Sequence, residues 1–368
     1  MSRTSGTTMN KAAFGFITLF LLLCFSVGCT LPGSAPSATP EATEPTPTVS
    51  VIVITPTPIS TPTPEPTPEP TPTPIPELVV NFAGDCTFSD ISMQKNQYSF
   101  STVYDREGPD YFFAKVKRFF ETDDLTVVNL EGPLSDLPPS VPDKEWWFKG
   151  RAEFVKVLTG SSVEAVSLAN NHTMDAGKAV FEDTKKNLDD AGVLWSDYTQ
   201  RVYFSKDGIS VSVYCDHIGD ALGANEKNRL LEHIKEAQKD SDFIMFYLHG
   251  GAESLTKPEP WRVKLSEELV DAGADVVIWS HAHRLQPLEA YGQGYIHYGL
   301  SNFSFGGAKR PPRETVIFQL RMTKTGGEKT ISAIEIPCWQ YPEGEYSTYQ
   351  PFPAGEVPNV DGKIDVVA

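Results

Sequence analysis

An α/β core carrying an added β portion is the fold class this sequence predicts, and three observations predict it. Short apolar runs alternate with helix-period segments from Leu78 to about Ser280, the apolar runs repeatedly end on Asp, Glu, Asn or His, and after Tyr295 the helical pattern gives way to strands alone. The folded part is preceded by a long segment that cannot fold with it.

That segment opens at residues 12–28, an apolar run behind a weakly basic start that ends in small residues directly before Cys29. It reads as a secretory signal, residues 1–28, and Ser26-Val27-Gly28-Cys29 resembles a lipoprotein box in which the cysteine is lipidated after cleavage. An uncleaved anchor helix is the alternative; the run is at the short limit for spanning a bilayer. Both place the remainder outside the cytoplasmic membrane, and the first makes it lipid-anchored to the cell membrane. From Pro32 to Pro76 lie half of the thirty prolines, mixed with Thr, Ser and Glu and with no Lys or Arg. Such a tract buries nothing and favours polyproline II, so residues 29–77 read as a semi-rigid stalk. At about 3.1 Å per residue, Pro56 to Pro76 alone reaches roughly 65 Å.

In the folded part, the first strand is Leu78 to Asp85, and the second runs from Leu125 to Glu131. Asp110 to Glu121 reads as a helix whose aromatics Tyr111, Phe112, Phe113, Phe119 and Phe120 belong to the core. A helix near Ala152 to Leu158 leads to the run Val163 to Ala169, which stops at Asn170-Asn171-His172 and is followed by a helix from about Ala176 to Asp190, ending at Gly192. Edge strands follow at Arg201 to Ser205 and Ile209 to Cys215. A helix from Glu226 to Lys239 precedes the strand Phe243 to Gly251, and a helix from Arg262 to Ala272 precedes the strand that begins at Asp275 and runs to His283. Strands at Tyr295 to Tyr298, Thr315 to Met322 and Ile331 to Ile336 close the domain, drawn at residues 78–340 with a tail at 341–368.

The formal charge of the chain is -17, and it becomes more negative by two once residues 1–28, which carry Arg3 and Lys11 and no acid, are removed. That balance excludes nucleic acid as a partner and disfavours anionic surfaces in general. Cys86, Cys215 and Cys338 are too widely spaced for a disulfide framework or a zinc knuckle; one bridge with a free thiol, or three buried thiols, both remain open.

Gathered together, the strand-end residues are Asp85, Glu131, Asn171, His172, His249, His281 and His283. Carboxylate oxygen with imidazole nitrogen, and amide as a weaker ligand, suits Mn, Fe or Zn, one or two ions. Six of them, Asp85, Glu131, Asn171, His249, His281 and His283, are the candidate ligands. The pair His281-x-His283 is the strongest local signal, because residues two apart on an extended segment point the same way. His172 with Asp175 reads as a catalytic acid and its orienting carboxylate, since imidazole titrates near working pH; Asp175 reads equally as a helix cap. All are expected to meet where parallel strands of one layer bring their carboxyl ends to a common edge. Lys309-Arg310-Pro311-Pro312-Arg313 and Arg284 supply basic residues near that edge; Asn170, Asn302, Arg284 and Arg310 are the candidate substrate-binding residues, with a solvated basic loop as the plainer reading. His217, His233 and His297 are left out of the site.

Gly84-Asp85, Asn129-Leu130-Glu131-Gly132-Pro133, Ala169-Asn170-Asn171-His172 with Asp175 and Gly177, His249-Gly250-Gly251, His281-Ala282-His283 with Leu285-Gln286-Pro287 and Glu289, and Tyr298-Gly299-Leu300-Ser301-Asn302-Phe303 resemble, in order, the motifs of the bacterial CapA-like poly-γ-glutamate capsule synthesis proteins of the metallophosphoesterase-like superfamily. The resemblance covers about Leu78 to Phe305. It implies an α-β-β-α sandwich of two β-sheets flanked by helices with a metal site at one edge. It further implies an anchored protein acting in synthesis, export or attachment of an anionic capsule polymer, with a membrane-bound polymer synthetase as partner. Phosphoesterases of that superfamily open with Asp-x-His, whereas Cys86-Thr87 follows Asp85; Ser280 stands where a glycine is expected, and Gly250 where a tryptophan is usual. Two rival functions stay open: a metal-dependent phosphoesterase or hydrolase acting on envelope polymers or nucleotides, and a module that binds polymer without catalysis.

Overall fold

The structure, a computed structural model, describes residues 75–140, 144–306, 313–343, 347–358 and 364–366. Cys29, the signal segment, the stalk up to residue 74, and Arg310 lie outside the described residues. Among the described residues no helix is long and apolar enough to cross a membrane.

The strands, in chain order, are β1 (Glu77–Cys86), β2 (Leu125–Leu130), β3 (Ala165–Ser167), β4 (Leu194–Ser196), β5 (Val202–Lys206), β6 (Ile209–Gly219), β7 (Phe243–Gly250), β8 (Val276–Ser280), β9 (Leu288–Tyr291), β10 (Gly294–His297), β11 (Asn302–Ser304), β12 (Glu314–Thr325), β13 (Glu328–Trp339) and β14 (Phe352–Pro353). The helices are α1 (Phe100–Glu107), α2 (Lys117–Phe120), α3 (Lys156–Thr159), α4 (Lys178–Ala191), α5 (Ala224–Ala237) and α6 (Pro260–Asp271). One sheet runs β14-β13-β12-β1-β2-β3-β4 with β11 also paired to β1; a second runs β5-β6-β7-β8-β10-β9, and Glu356–Pro358 pairs with Ile364–Val366 in a small two-stranded third. In the first, β1 to β4 are parallel and β12 is antiparallel to β1; in the second, β6, β7, β8 and β10 are parallel with antiparallel strands at both edges.

Period-two alternation sorts side chains into layers. On β1, Leu78, Val80 and Phe82 face the other sheet and meet Val211, Met245, Tyr247 and Ile278, whereas Ala83 and Cys86 join Phe100, Phe112, Phe113, Phe154 and Leu188 beneath the helices of the first half. On β7, Ile244, Phe246 and Leu248 turn the other way, to Leu230 and Ile234 of α5 and Leu265 and Leu269 of α6. Helix, sheet, sheet, helix is therefore the order of layers, as the resemblance implies, because nearly every residue of β1, β2, β7 and β8 is buried on both faces.

Some expected elements differ. Asp110 to Glu121 is not one helix: a 3₁₀ turn at Pro109–Tyr111 is separated from the single turn α2, although Phe112, Phe113, Phe119 and Phe120 are in the core as expected. The pairing of β3 covers only Ala165–Ser167 and β3 sits one strand from the edge, so Leu168 and Ala169 are already leaving the sheet toward the asparagines. Residues 347–353, placed in a tail by the sequence, pack onto the domain: Tyr349 lies edge-on to Phe100 at 5.1 Å and β14 pairs with β13. Cys86, Cys215 and Cys338 are free and buried.

Candidate functional site

The site begins at an exchange of partners along β1. Its residues from Glu77 to Ala83 pair with β12, and β11 takes over at Asp85, opposite Asn302. Gly84 makes the exchange possible: a Cβ there would lie 1.9 Å from the carbonyl oxygen of Ser301. Asp85 follows, its amide donating to that same oxygen at 3.1 Å and its carboxylate fully buried between the ends of β2 and β11.

Glu131 follows β2 directly and is also fully buried, and neither of its carboxylate oxygens has a hydrogen-bond partner among the described residues. Burial, and then the Asp85 carboxylate, push its pKa well above the usual carboxylate range. His283 is the third member. Burial works against its charged form, but Glu131 and Asp85 outweigh it and push its pKa up to about 10. Its Nδ1 lies 3.3 Å from Asp85 Oδ2 and 2.6 Å from Asn302 Oδ1. One ligand atom from each of Asp85, Glu131 and His283 lies within 4.8 Å of the others. Two carboxylates and an imidazole converging in a buried cluster, one carboxylate without a hydrogen-bond partner among the described residues, match what a divalent cation needs from oxygen and nitrogen donors.

A second group adjoins this triad. His249, at the end of β7, has Nε2 2.9 Å from Asn171 Oδ1 and 3.0 Å from His281 Nδ1, while its Nδ1 lies 2.8 Å from Ser280 Oγ and 3.2 Å from Asn129 Nδ2. Burial, then the neighbouring histidines, hold His249 well below the usual imidazole range, and burial followed by His283 lowers His281. Both are therefore neutral donors at neutral pH, the form that ligates metal.

His172 also adjoins the triad, its Nε2 3.6 Å from Glu131 Oε1 and its Nδ1 2.6 Å from Asp175 Oδ2. Asp175 does not cap α4, whose first turn is preceded by Gly177 without a side-chain cap. Its carboxylate instead accepts from the Phe148 amide at 2.7 Å, pairs with Lys144 and orients His172, which lies against the Phe148 ring at 4.1 Å. Burial lowers the pKa of His172 and Asp175 pushes back.

All six candidate ligands and both candidate catalytic residues thus come to one place, with two corrections to how. They do not share one layer: Asp85, Glu131, Asn171 and His172 come from the first sheet, and His249, His281 and His283 from the second, where the carboxyl ends of both sets of parallel strands face each other. Nor is the His281-x-His283 pair extended; β8 ends at Ser280, and His281 and His283 have φ of 86° and 52°, so a left-handed turn aims both rings inward.

Two substrate-binding candidates have their amides occupied inside the protein. Asn170 donates to Asn129 Oδ1 and the Leu130 carbonyl and accepts from the His172 amide, and Asn302 Oδ1 is engaged by His283. Arg284 is partly buried and makes no hydrogen bond to the site residues among the described residues. The sequence reading missed Asn129, which donates to Asp85 Oδ1 at 2.8 Å and joins both sheets through His249. Strand alternation carried the signal, since Asn129 precedes Glu131 by two residues and shares its face. Ser280 and Lys144 were missed as well, and for Lys144, distant on a loop, no sequence signal exists.

Residues 79–199 and 196–307 match the sequence model of the family described as Bacterial capsule synthesis protein PGA_cap. The PGA biosynthesis protein CapA of Bacillus subtilis (strain 168) is 29% identical over 255 residues, 64% of this chain and 67% of its own length. The capsule biosynthesis protein CapA of Bacillus anthracis is 28% identical over 249 residues, 61% of each chain, so this chain spans less than two thirds of that relative. A solved hypothetical protein from Thermus thermophilus aligns over 70% of this chain and 99% of its own, with 13% identity and a TM-score of 0.42.

Proposed function

The chain belongs to the bacterial capsule synthesis protein family, and from that membership we propose that it acts in the synthesis, export or attachment of an anionic capsule polymer of the poly-γ-glutamate type, through a metal-dependent, hydrolase-like site. The observation that carries the catalytic part is Glu131, a fully buried carboxylate with neither oxygen hydrogen-bonded among the described residues, beside Asp85 and His283. Its ionised form is costly there even beside His283, and a bound cation would relieve that cost.

Asp85, Glu131 and His283 would hold one Mn, Fe or Zn ion, and Asn171, His249 and His281 are placed for a second. Such an ion, when bound, supplies Lewis acidity at the carbonyl or phosphoryl oxygen of the bond to be cleaved. The remaining work falls to the chain's own groups. Asp175 keeps His172 oriented through Nδ1, leaving Nε2 aimed at the triad, where it can take a proton from a nucleophilic water or return one to a leaving nitrogen or oxygen. Asn129 holds Asp85 from behind and Asn302 holds His283, so the ligand geometry is set before any substrate arrives.

Outside the cell the domain would stand on its proline-rich stalk, lipid-anchored at Cys29 and within reach of a membrane-bound polymer synthetase. Replacing Cys29→Ala is expected to leave an unprocessed precursor without lipid label; labelling that persists would refute the anchor. For the site, elemental analysis after reconstitution with Mn, Fe or Zn is combined with size-exclusion analysis of poly-γ-glutamate incubated with the protein, with and without chelator. Stoichiometric metal and chelator-sensitive shortening of the polymer are expected. Metal with cleavage of phosphodiesters alone would favour the phosphoesterase reading, and polymer binding without metal or cleavage would favour the binding module.

A further inference from the structure

Beside the metal-competent groups, on the far side of His249, the structure has a cavity of about 320 Å³ lined by Asn170, Met174, Tyr198, Asp216, His217 and Arg229 among others. Its size is at the lower end of small-ligand sites. It adjoins the site through two of its lining residues. His217 is the β6 partner of His249 across the sheet, with ring centroids 5.9 Å apart, and Asn170 immediately precedes Asn171 and His172.

Its charges are arranged unusually. Asp216 is almost fully buried and accepts both Nε and Nη2 of Arg229 at 2.8 Å each, which locks the guanidinium in one plane and leaves Nη1 without a hydrogen bond among the described residues. The pair cancels itself in charge. Leu168, Phe181 and the half-exposed Met174 complete the lining with apolar surface. One fixed guanidinium edge in a partly apolar hollow suits a singly charged carboxylate flanked by a short aliphatic segment, as the two backbone methylenes of a γ-linked glutamate provide. A phosphate dianion, which brings a second charge, would be offset less well by a guanidinium already paired with Asp216.

Resting on the polymer reading above, we propose that this cavity is a substrate subsite that seats one carboxylate-bearing unit of the acidic chain, anchored on Arg229, so that the neighbouring backbone linkage lies at the Asp85, Glu131 and His283 triad. Asp216 is then a positioning residue that fixes the anchor, and Met174 and Tyr198 form the mouth through which the chain continues.

The test is calorimetric titration of the full-length protein with a γ-linked glutamate hexamer and with the same hexamer fully amidated. Removing Arg229 alone strands a buried Asp216, so the variant is the double replacement Asp216→Asn with Arg229→Met, with melting temperature and metal content measured alongside. Wild type is expected to prefer the acidic hexamer. The double variant is expected to bind it about 10- to 100-fold more weakly, as loss of a charge-assisted hydrogen bond implies, with metal stoichiometry unchanged. Equal affinity for the acidic hexamer in wild type and double variant would overturn the subsite while leaving the polymer reading intact. Failure of wild type to bind either hexamer would overturn the polymer reading and the subsite together. Tripolyphosphate binding that falls in the double variant while hexamer binding does not would assign the cavity to phosphate and refute the proposal.

Discussion

Replacing Glu131→Gln separates what this residue does for an ion from what it does to the fold. Its carboxylate is fully buried, has no hydrogen-bond partner among the described residues and sits beside Asp85, so in the metal-free protein it opposes folding. An unsatisfied buried group costs on the order of 1–3 kcal/mol. Its folded pKa lies above the ordinary 4.5, so the folded state holds more protons than the unfolded one. The contribution to stability is therefore greatest below that value and is lost as pH rises through the folded pKa. Metal-free wild type should lose stability from about pH 5 upward through this group, and the Gln variant should not. With ion present the order reverses. A cation at about 100 times its Kd stabilises the folded state by about 2.7 kcal/mol. That is roughly 5–10 °C in melting temperature for a domain of this size. The Gln variant, short of one ligand and one charge, should gain little. Differential scanning fluorimetry at pH 6 and pH 8, in chelator and in excess Mn, reads both effects. Equal ion-induced shifts in the two proteins, or a Gln variant that melts below wild type in chelator at pH 8, would refute the assignment of Glu131 as a ligand.

Asp175→Asn should lower turnover on the polymer by about 100-fold or more while metal content stays at the wild-type level, because it removes the group that orients His172 and not a ligand; parallel loss of metal would show that the dyad belongs to the ligand shell. Phe100→Ala should cost about 3–5 kcal/mol, read by urea titration, since its fully buried ring contacts Phe112 at 4.4 Å, Phe154 at 4.8 Å and Tyr349 at 5.1 Å. Asp123, pushed up to about 8 chiefly by burial despite accepting from Thr126 Oγ1 at 2.6 Å, should make the fold less stable as pH rises from about 4 to 8, and Asp123→Asn should flatten that part of the melting profile. A slope identical in both proteins would show that Asp123 is ionised in the folded state.

The local pattern of the chain was enough to identify most strands and helices and nearly every residue now found at the centre. Apolar runs that end on Asp85, Glu131, Asn171, His249 and His281 are a one-dimensional signal, since a buried strand needs continuous apolar sequence and its end is where polar chemistry becomes affordable. Alternation also marks the faces of β1 and β7, so the layers were implicit in it. What alternation does not encode is which face meets which. That Asp85 and His281 approach across two sheets depends on packing between Phe82, Val80 and Met245, residues whose partners are more than a hundred positions away. The same limit hid Asn129 and Ser280 as supports, made Asn170 and Asn302 look free for substrate, and concealed Lys144, whose role rests wholly on where a loop returns. It also hid the cavity, because Arg229 of α5 and Asn170 of the first sheet share a wall only after both sheets have stacked. Residue type and period are properties of neighbours along the chain, and hydrogen-bond satisfaction is a property of neighbours in space: the former determined the candidate ligands, and the latter decided which side chains remain free to bind anything else.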